Sequence, residues 1–126
     1  MGKWVLVVPG RFPGLNDYVL ACKNHHLRRR MKAECDEMVG WAAMASDVPK
    51  LKAPVKVTVD CFEKDRRRDK DNVHSMARKF ALDGLQEAGV IGNDNWDWVP
   101  ELTGGSVELD RLFPRVEITV EGEASD

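Results

Sequence analysis

A short segment of mixed charge carries the residues best suited to chemistry. Residues 65–72 read DRRRDKDN, so three carboxylates and four cations occupy seven consecutive positions. Asp69 and Asp71 are two residues apart, and in an extended segment their carboxylates would point the same way. Two such carboxylates repel each other unless a cation lies between them, and Mg²⁺ prefers oxygen ligands. The spacing therefore predicts a magnesium site at Asp69 and Asp71.

The cations of the same segment predict a phosphate-binding surface beside these acids. They are Arg66, Arg67, Arg68 and Lys70. In an extended segment Arg67 would share the side of the two aspartates, where its guanidinium could hold a scissile phosphate. Two alternatives stay open from the residues alone. The arginines could be a solubilising run, and Asp71 could be an ordinary helix N-cap.

Two further residues are candidates for the same site. Asp94 lies in a loop after the second long predicted helix, and it would complete a cation site only if the fold brings it to the other two acids. Lys79, on that helix, could reach a phosphate or extend its ammonium group into solvent.

A second basic patch lies between Lys23 and Lys32 and contains no acid. Its arginines are Arg28, Arg29 and Arg30, and they either contact DNA phosphates or form a solvated helix face. Trp96 and Trp98 lie in a polar loop, where they could stack on bases or serve as core or interface anchors.

The composition predicts one soluble domain spanning residues 1–126. Hydrophobic residues make up 43% and charged residues 32% of the chain, a balance typical of globular proteins. No apolar run approaches the roughly 18 residues that a membrane span needs, and we expect a cytoplasmic protein. The net charge is −2, but the basic patches are segregated from the acids, so local DNA binding stays possible. Cys35 and Cys61 fall on apolar faces and are expected to be buried.

The apolar pattern predicts an α+β fold in the order β-α-β-α-β-β. The predicted elements are a strand at 4–8, a helix from about 18 to 46, a strand at 55–61, a helix at 73–88, and a hairpin of strands at 107–109 and 115–120. Asp71 or Asn72 is the expected N-cap of the second helix, and Gly89 its C-terminal stop. The tail after about residue 121 is expected to fray. A small mixed sheet covered by two main helices is the simplest arrangement.

Several of these segments together resemble the RusA family of Holliday-junction resolvases, which are phage- and prophage-associated endonucleases. The similar segments are DRRRDKDN at 65–72, LDGLQEAGV at 82–90 and the pair Asn93-Asp94. The opening PGRFPGLNDY at 9–18 and the closing PRVE at 114–117 are similar to the Gram-positive branch of that family. The resemblance covers nearly the whole chain.

The resemblance implies a RusA-like fold and a homodimer that cuts a four-way DNA junction symmetrically with Mg²⁺ or Mn²⁺. The essential carboxylates of the family match Asp69, Asp71 and Asp94. The family also uses a lysine early in the helix. The matching position here is Ser75, and Lys79, one turn later, is the candidate replacement.

Two other functions fit the same residues. The first is a non-catalytic protein that binds DNA junctions, and the second is a metal-dependent nuclease for forks or flaps. Replacing Asp69 by Asn would separate a nuclease from a binder, because a nuclease would lose cleavage while still binding DNA.

Overall fold

The computed structural model describes residues 1–102 and 104–126. They form four strands and three helices: β1 (Gly2–Pro9), α1 (Leu15–Ala21), α2 (His25–Ser46), β2 (Leu51–Glu63), α3 (Lys70–Glu87), β3 (Val107–Leu109) and β4 (Arg115–Ala124). The predicted α+β class with a mixed sheet is confirmed. The order differs from the predicted one by one additional short helix.

The first predicted helix is in fact two helices, because the chain turns at Asn24. The side chain of Asn24 accepts hydrogen bonds from the backbone N–H groups of His26 (2.9 Å) and Leu27 (3.4 Å). These donors have no partner inside the helix, so the asparagine caps α2 and ends the continuous helical path from α1. The predicted end of the helix at Ser46 is confirmed.

The sheet has the strand order β1-β4-β2-β3. β4 pairs antiparallel with both β1 and β2, whereas β3 pairs in parallel with β2, for example Cys61 with Val107. The predicted hairpin of β3 and β4 is therefore wrong, since β2 lies between them. Parallel neighbours need a long crossover connection, and α3 with the segment after it supplies that connection between β2 and β3.

Alternating residues of the three long strands form the sheet side of the core. Leu6 and Val8 of β1, Val57 of β2, and Ile118 and Val120 of β4 have no exposed surface. Cysteines Cys35 and Cys61 are buried as expected, and burial raises the pKa of each thiol to about 12. None of the helices in the described ranges has the length and apolar character needed to cross a bilayer.

Two strand boundaries extend past their predicted limits. β2 begins at Leu51 and includes Pro54, at a shift of register between Lys52 and Lys56; proline has no N–H to donate and is tolerated at such irregularities. β4 continues to Ala124, which pairs with Leu51. The expectation that the chain frays after residue 121 is therefore wrong.

Helix α3 starts earlier than predicted. Its N-cap is Asp69, not Asp71 or Asn72, and Asp71 lies in the first turn. The predicted stop is confirmed, since Gly89 follows the C-cap with a φ of 79°. In the last turn of the helix, Gly84 lies against Val39 of α2, and a Cβ added there would lie 2.5 Å from the Val39 Cβ. This close contact fixes the crossing of α2 and α3.

Candidate active site

The segment DRRRDKDN lies where β2 ends and α3 begins. In a β-α-β unit with parallel strands, ligand sites form at the carboxyl ends of the strands beside the amino end of the helix. An open cleft of about 640 Å³ occupies this position. Its walls combine acidic and basic side chains, among them Asp65, Arg66, Asp69, Lys70 and, from β3, Glu108.

A buried ion pair forms the base of this region. Glu63, at the end of β2, is 4% exposed. The guanidinium of Arg68 donates to it through Nε (2.8 Å) and Nη2 (3.0 Å), and through Nη1 to the carbonyl oxygen of Phe12 (2.9 Å). Arg11 lies 3.6 Å from the same carboxylate. The pair ties the end of β2, the loop after β1 and the start of α3 together.

The predicted role of Arg68 in DNA binding does not agree with this geometry. Its side chain is 19% exposed, and all three of its donor nitrogens have protein partners. A phosphate would have to displace a carboxylate that is itself buried, and leaving a buried charge unpaired is costly. Arg68 is a structural residue here, and it lines clefts on either side of the segment.

The predicted extended conformation of the segment is also wrong, because its first acid folds it into a turn. Asp65 accepts a hydrogen bond from the backbone N–H of Arg67 (3.0 Å), which lowers the pKa of that carboxyl group. Aspartate side chains often form such turns by accepting a hydrogen bond from the backbone N–H two residues further on. The alternation argument for Arg66, Arg67 and Arg68 therefore does not apply. The Arg67 side chain is 87% exposed, and its Nε lies 3.7 Å from Asp65.

Both acids of the predicted cation site lie at the amino end of α3, but the same-side argument for them fails as well, because residues two apart at the start of a helix do not face each other. Asp69 is the N-cap, but its side chain makes no capping hydrogen bond. Within the described parts of the chain, neither its carboxylate nor that of Asp71 forms a hydrogen bond or an ion pair. Both residues are exposed. Asp69 also lines a second cleft, of about 230 Å³, with Asp17 and Arg67. Asp69 thus lines two clefts that also have basic walls, and Asp71 is exposed in the first turn of α3.

Asp94 lies at the other end of the same helix. It follows α3, whose 18 residues span about 27 Å. The segment around it is bonded to the start of β2, because Leu51 N–H donates to Val90 (2.9 Å) and Val55 N–H donates to Trp98 (2.7 Å). Among residues 1–102 and 104–126, no group of three or more His, Cys, Asp or Glu side chains could hold a metal ion. One chain therefore does not bring Asp94 to Asp69 and Asp71.

Lys79 does not point to the two acids either. Its Nζ lies 3.3 Å from Asp83, one turn further toward the end of α3, and 5.5 Å from the centre of the Tyr18 ring. It lines a groove of about 310 Å³ between α2 and α3. Arg28 and Arg29 line the same groove.

The predicted basic patch is divided between two grooves. Arg28 and Arg29 face α3, whereas Arg30 lies on a different groove of about 610 Å³ with Arg11 and the loop after β1. All three arginines are exposed. Any DNA that contacts the whole patch must therefore pass over the start of α2.

Glu63 is the residue of this site that sequence reasoning missed. The alternation of β2 contained the signal, because Val55, Val57, Val59 and Cys61 lie on the buried side and Glu63 continues the same series. A carboxylate at a buried strand position needs a cationic partner. Searching for that partner would have identified an arginine of the adjacent run as structural.

A comparison with models of known protein families gives no match to this chain, and a comparison with curated proteins gives none either.

Proposed function

We propose that this protein is a Mg²⁺-dependent endonuclease that hydrolyses the DNA backbone at four-way junctions, as the resemblance to RusA resolvases implies. The observation that carries the proposal is the pair of unengaged carboxylates, Asp69 and Asp71, at the amino end of α3. Asp69 lines a cleft whose other walls include Arg66 and Lys70, and Asp71 is exposed two residues further along, in the first turn of the helix. Acid pairs beside cations suit a site that handles both a hard cation and a phosphodiester.

The donor set fits Mg²⁺, because both candidate ligands are carboxylates without another partner among the described residues. When bound, Mg²⁺ supplies the Lewis acidity and the activated water that phosphodiester hydrolysis needs. The protein's own cations act on the substrate. Arg67, which has an exposed guanidinium and lines the smaller cleft with Asp69, holds the phosphate and stabilises the charge that develops on it. Arg66 and Lys70 contact neighbouring phosphates.

The third carboxylate comes from a second copy in this proposal. Asp94 lies in the loop beyond the far end of α3, too distant to join the acids of its own chain. Two carboxylates alone would leave a cation mostly bound to water. In a two-fold dimer each copy would give its Asp94 to the other, which forms two equivalent sites. Two sites related by a two-fold axis suit a junction in which two strands of like polarity are cut.

The basic residues outside the cleft position the DNA arms. Arg28 and Arg29 on one groove and Arg30 on the other contact phosphates along two paths. Contacts of this kind read shape and not sequence, which is appropriate for a branched substrate.

The proposal is tested by digesting fixed four-way, forked and flap DNA with wild-type protein and an Asp69→Asn variant in Mg²⁺ or Mn²⁺. We expect paired cuts in the four-way junction by the wild type, and a loss of at least about a hundredfold in the variant with junction binding retained. Asp126→Asn, at the exposed end of the chain, is the matched control and should cut normally.

Two outcomes would replace the proposal with one of its alternatives. Junction binding without cleavage in either metal would identify a non-catalytic binding protein. Cutting of forks or flaps with intact four-way junctions would identify a different structure-specific nuclease.

A further inference from the structure

The two tryptophans of the polar loop have different environments. Trp98 is half-buried and packs against the core, and a Cβ added to Gly92 would lie 2.7 Å from its Cζ2. The side chain of Trp96 is 91% exposed. The anchor role that the sequence left open for the pair is therefore filled by Trp98, and Trp96 is left without a structural partner.

Trp96 is presented by an ordered turn. The side-chain oxygen of Asn93 accepts from the backbone N–H groups of Asp94 (2.7 Å) and Asn95 (3.1 Å). The side-chain oxygen of Asn95 in turn accepts from those of Asp97 (3.1 Å) and Trp98 (3.1 Å). The backbone on both sides of Trp96 is thus fixed, and the large apolar ring is held in water at the tip.

A single aromatic side chain supplies the apolar surface of this loop. Residues 92–97 read GNDNWD and all are exposed, so Trp96 is the only large apolar side chain of the stretch. A tryptophan offers at most about 250 Å², whereas a stable protein interface buries about 800 Å² on each partner. A planar nucleobase fits such an isolated ring, because one aromatic face is enough for stacking and the flanking polar groups remain solvated.

We propose that Trp96 stacks on the face of a base that the branch point of the DNA leaves without a stacked neighbour, next to the phosphate that is cut. The inference rests on the proposed function, because it is Asp94, two residues earlier, that would bring this loop to the cleavage site of the second copy. The flanking Asp94 and Asp97 disfavour a contact of the loop itself with DNA phosphates. The contact therefore runs through the face of the base, and it requires a base face that no neighbouring base pair covers.

The test measures binding of a junction by tryptophan fluorescence in an Asp69→Asn background, so that the DNA is not cut. We expect the junction to quench the emission, and Trp96→Phe to remove that quenching while affinity falls by less than about threefold. Trp96→Ala should weaken junction binding by roughly tenfold or more. The affinity for linear duplex DNA should stay unchanged in both variants, because its bases are covered by their neighbours.

The matched control is Trp41, which is 66% exposed on α2. Trp41→Phe should keep the quenching, and Trp41→Ala should keep the affinity.

An unchanged affinity in Trp96→Ala, or quenching that survives Trp96→Phe, would overturn the inference while leaving the nuclease proposal intact. A blue shift of the Trp96 emission with protein concentration alone would show that a second copy covers the ring, which also overturns it. If the wild type binds no junction at all, the proposed function fails together with the inference.

Discussion

The two ends of helix α3 differ in how their functional residues are held. At the amino end, Asp69 and Asp71 closely follow Arg68, whose ion pair with the buried Glu63 joins three separate segments of the fold. At the carboxyl end, Asp94 lies in a loop whose order comes from short-range hydrogen bonds of asparagine side chains. The first end is joined to the core by an ion pair with a buried acid, whereas residues 92–97 beyond the second end are exposed.

This difference indicates a division of roles between the two ends. A site that must hold a cation and a phosphate needs ligands on a fixed backbone, and the ion pair of Glu63 with Arg68 fixes the backbone just before Asp69. A projecting loop suits contact with something outside its own chain. The length of α3 keeps the two ends apart within one copy. The predictions below test whether the two ends meet between copies. They also test whether the contacts at the amino end stabilise the fold and whether its exposed side chains act in cleavage.

The largest effect is expected from mixing two inactive variants. Asp69→Asn and Asp94→Asn should each abolish junction cleavage alone. If Asp94 acts in a second copy, a mixed dimer contains one site with both changes and one site with none. We expect the mixture to regain single cuts in the junction at up to about a quarter of the site activity of wild type, because about half of randomly paired dimers are mixed and each has one intact site. The product is measured as nicked and not resolved junction on a native gel.

The control for this experiment is a mixture of Asp69→Asn with Asp71→Asn. Both changes lie at the same end of α3, so each site of the mixed dimer carries one of them and the mixture should stay inactive. Full activity of Asp94→Asn by itself would remove Asp94 from the site. Two inactive variants that fail to complement each other would show that the ends of α3 do not meet between copies.

The next effect concerns stability and separates two consecutive arginines, Arg67 and Arg68. Arg68→Ala leaves Glu63 buried without its main partner, and we expect a loss of about 3–5 kcal/mol in the free energy of unfolding, measured by urea denaturation. Arg67→Ala should change it by no more than about 0.5 kcal/mol, since its side chain is exposed. The same Arg67 variant should nonetheless reduce cleavage by about tenfold to a hundredfold.

A double variant identifies the cause of the stability loss. Glu63→Gln combined with Arg68→Met removes both charges, and it should be more stable than Arg68→Ala because no carboxylate is left unpaired. If Arg68→Ala is as stable as wild type but binds DNA poorly, then Arg68 is a phosphate contact and the structural interpretation is wrong.

The sequence was sufficient for the parts of the fold that depend on regular apolar periodicity. The alternation of β2, the stripe of α3 and the stop at Gly89 are local patterns, and the structure confirms them. The position of β3 was not predictable in the same way. Three residues contain too little pattern to choose between a hairpin with β4 and parallel pairing with β2, and that choice depends on contacts distant in sequence.

The sequence identified the candidate residues by their types, but the predicted backbone conformation of their segment was wrong. Treating 65–71 as extended gave Arg66, Arg67 and Arg68 alternating sides, but the turn at Asp65 and the early start of α3 replaced that alternation. The structural role of Arg68 was set by one buried acid, Glu63, outside the segment itself. A linear spacing rule contains no information about such a partner, whereas the burial pattern of the preceding strand does.

The smallest expected effect is on the salt dependence of junction binding, and it tests whether DNA follows the groove beside α3. Each phosphate contact removed should lower the slope of log affinity against log salt by about 0.9. Arg29 lies on the groove shared with Lys79, near the middle of α3, and Arg30 lies on the groove beside the loop after β1. A lower slope in Arg29→Ala alone would place the DNA arm along α3, between its two ends, and a lower slope in Arg30→Ala alone would place it over the amino end. Lys3→Ala, on the edge strand β1, is the control and should leave the slope unchanged. If both arginine variants keep the wild-type slope, the start of α2 does not contact DNA, and the ends of α3 must bind the junction without it.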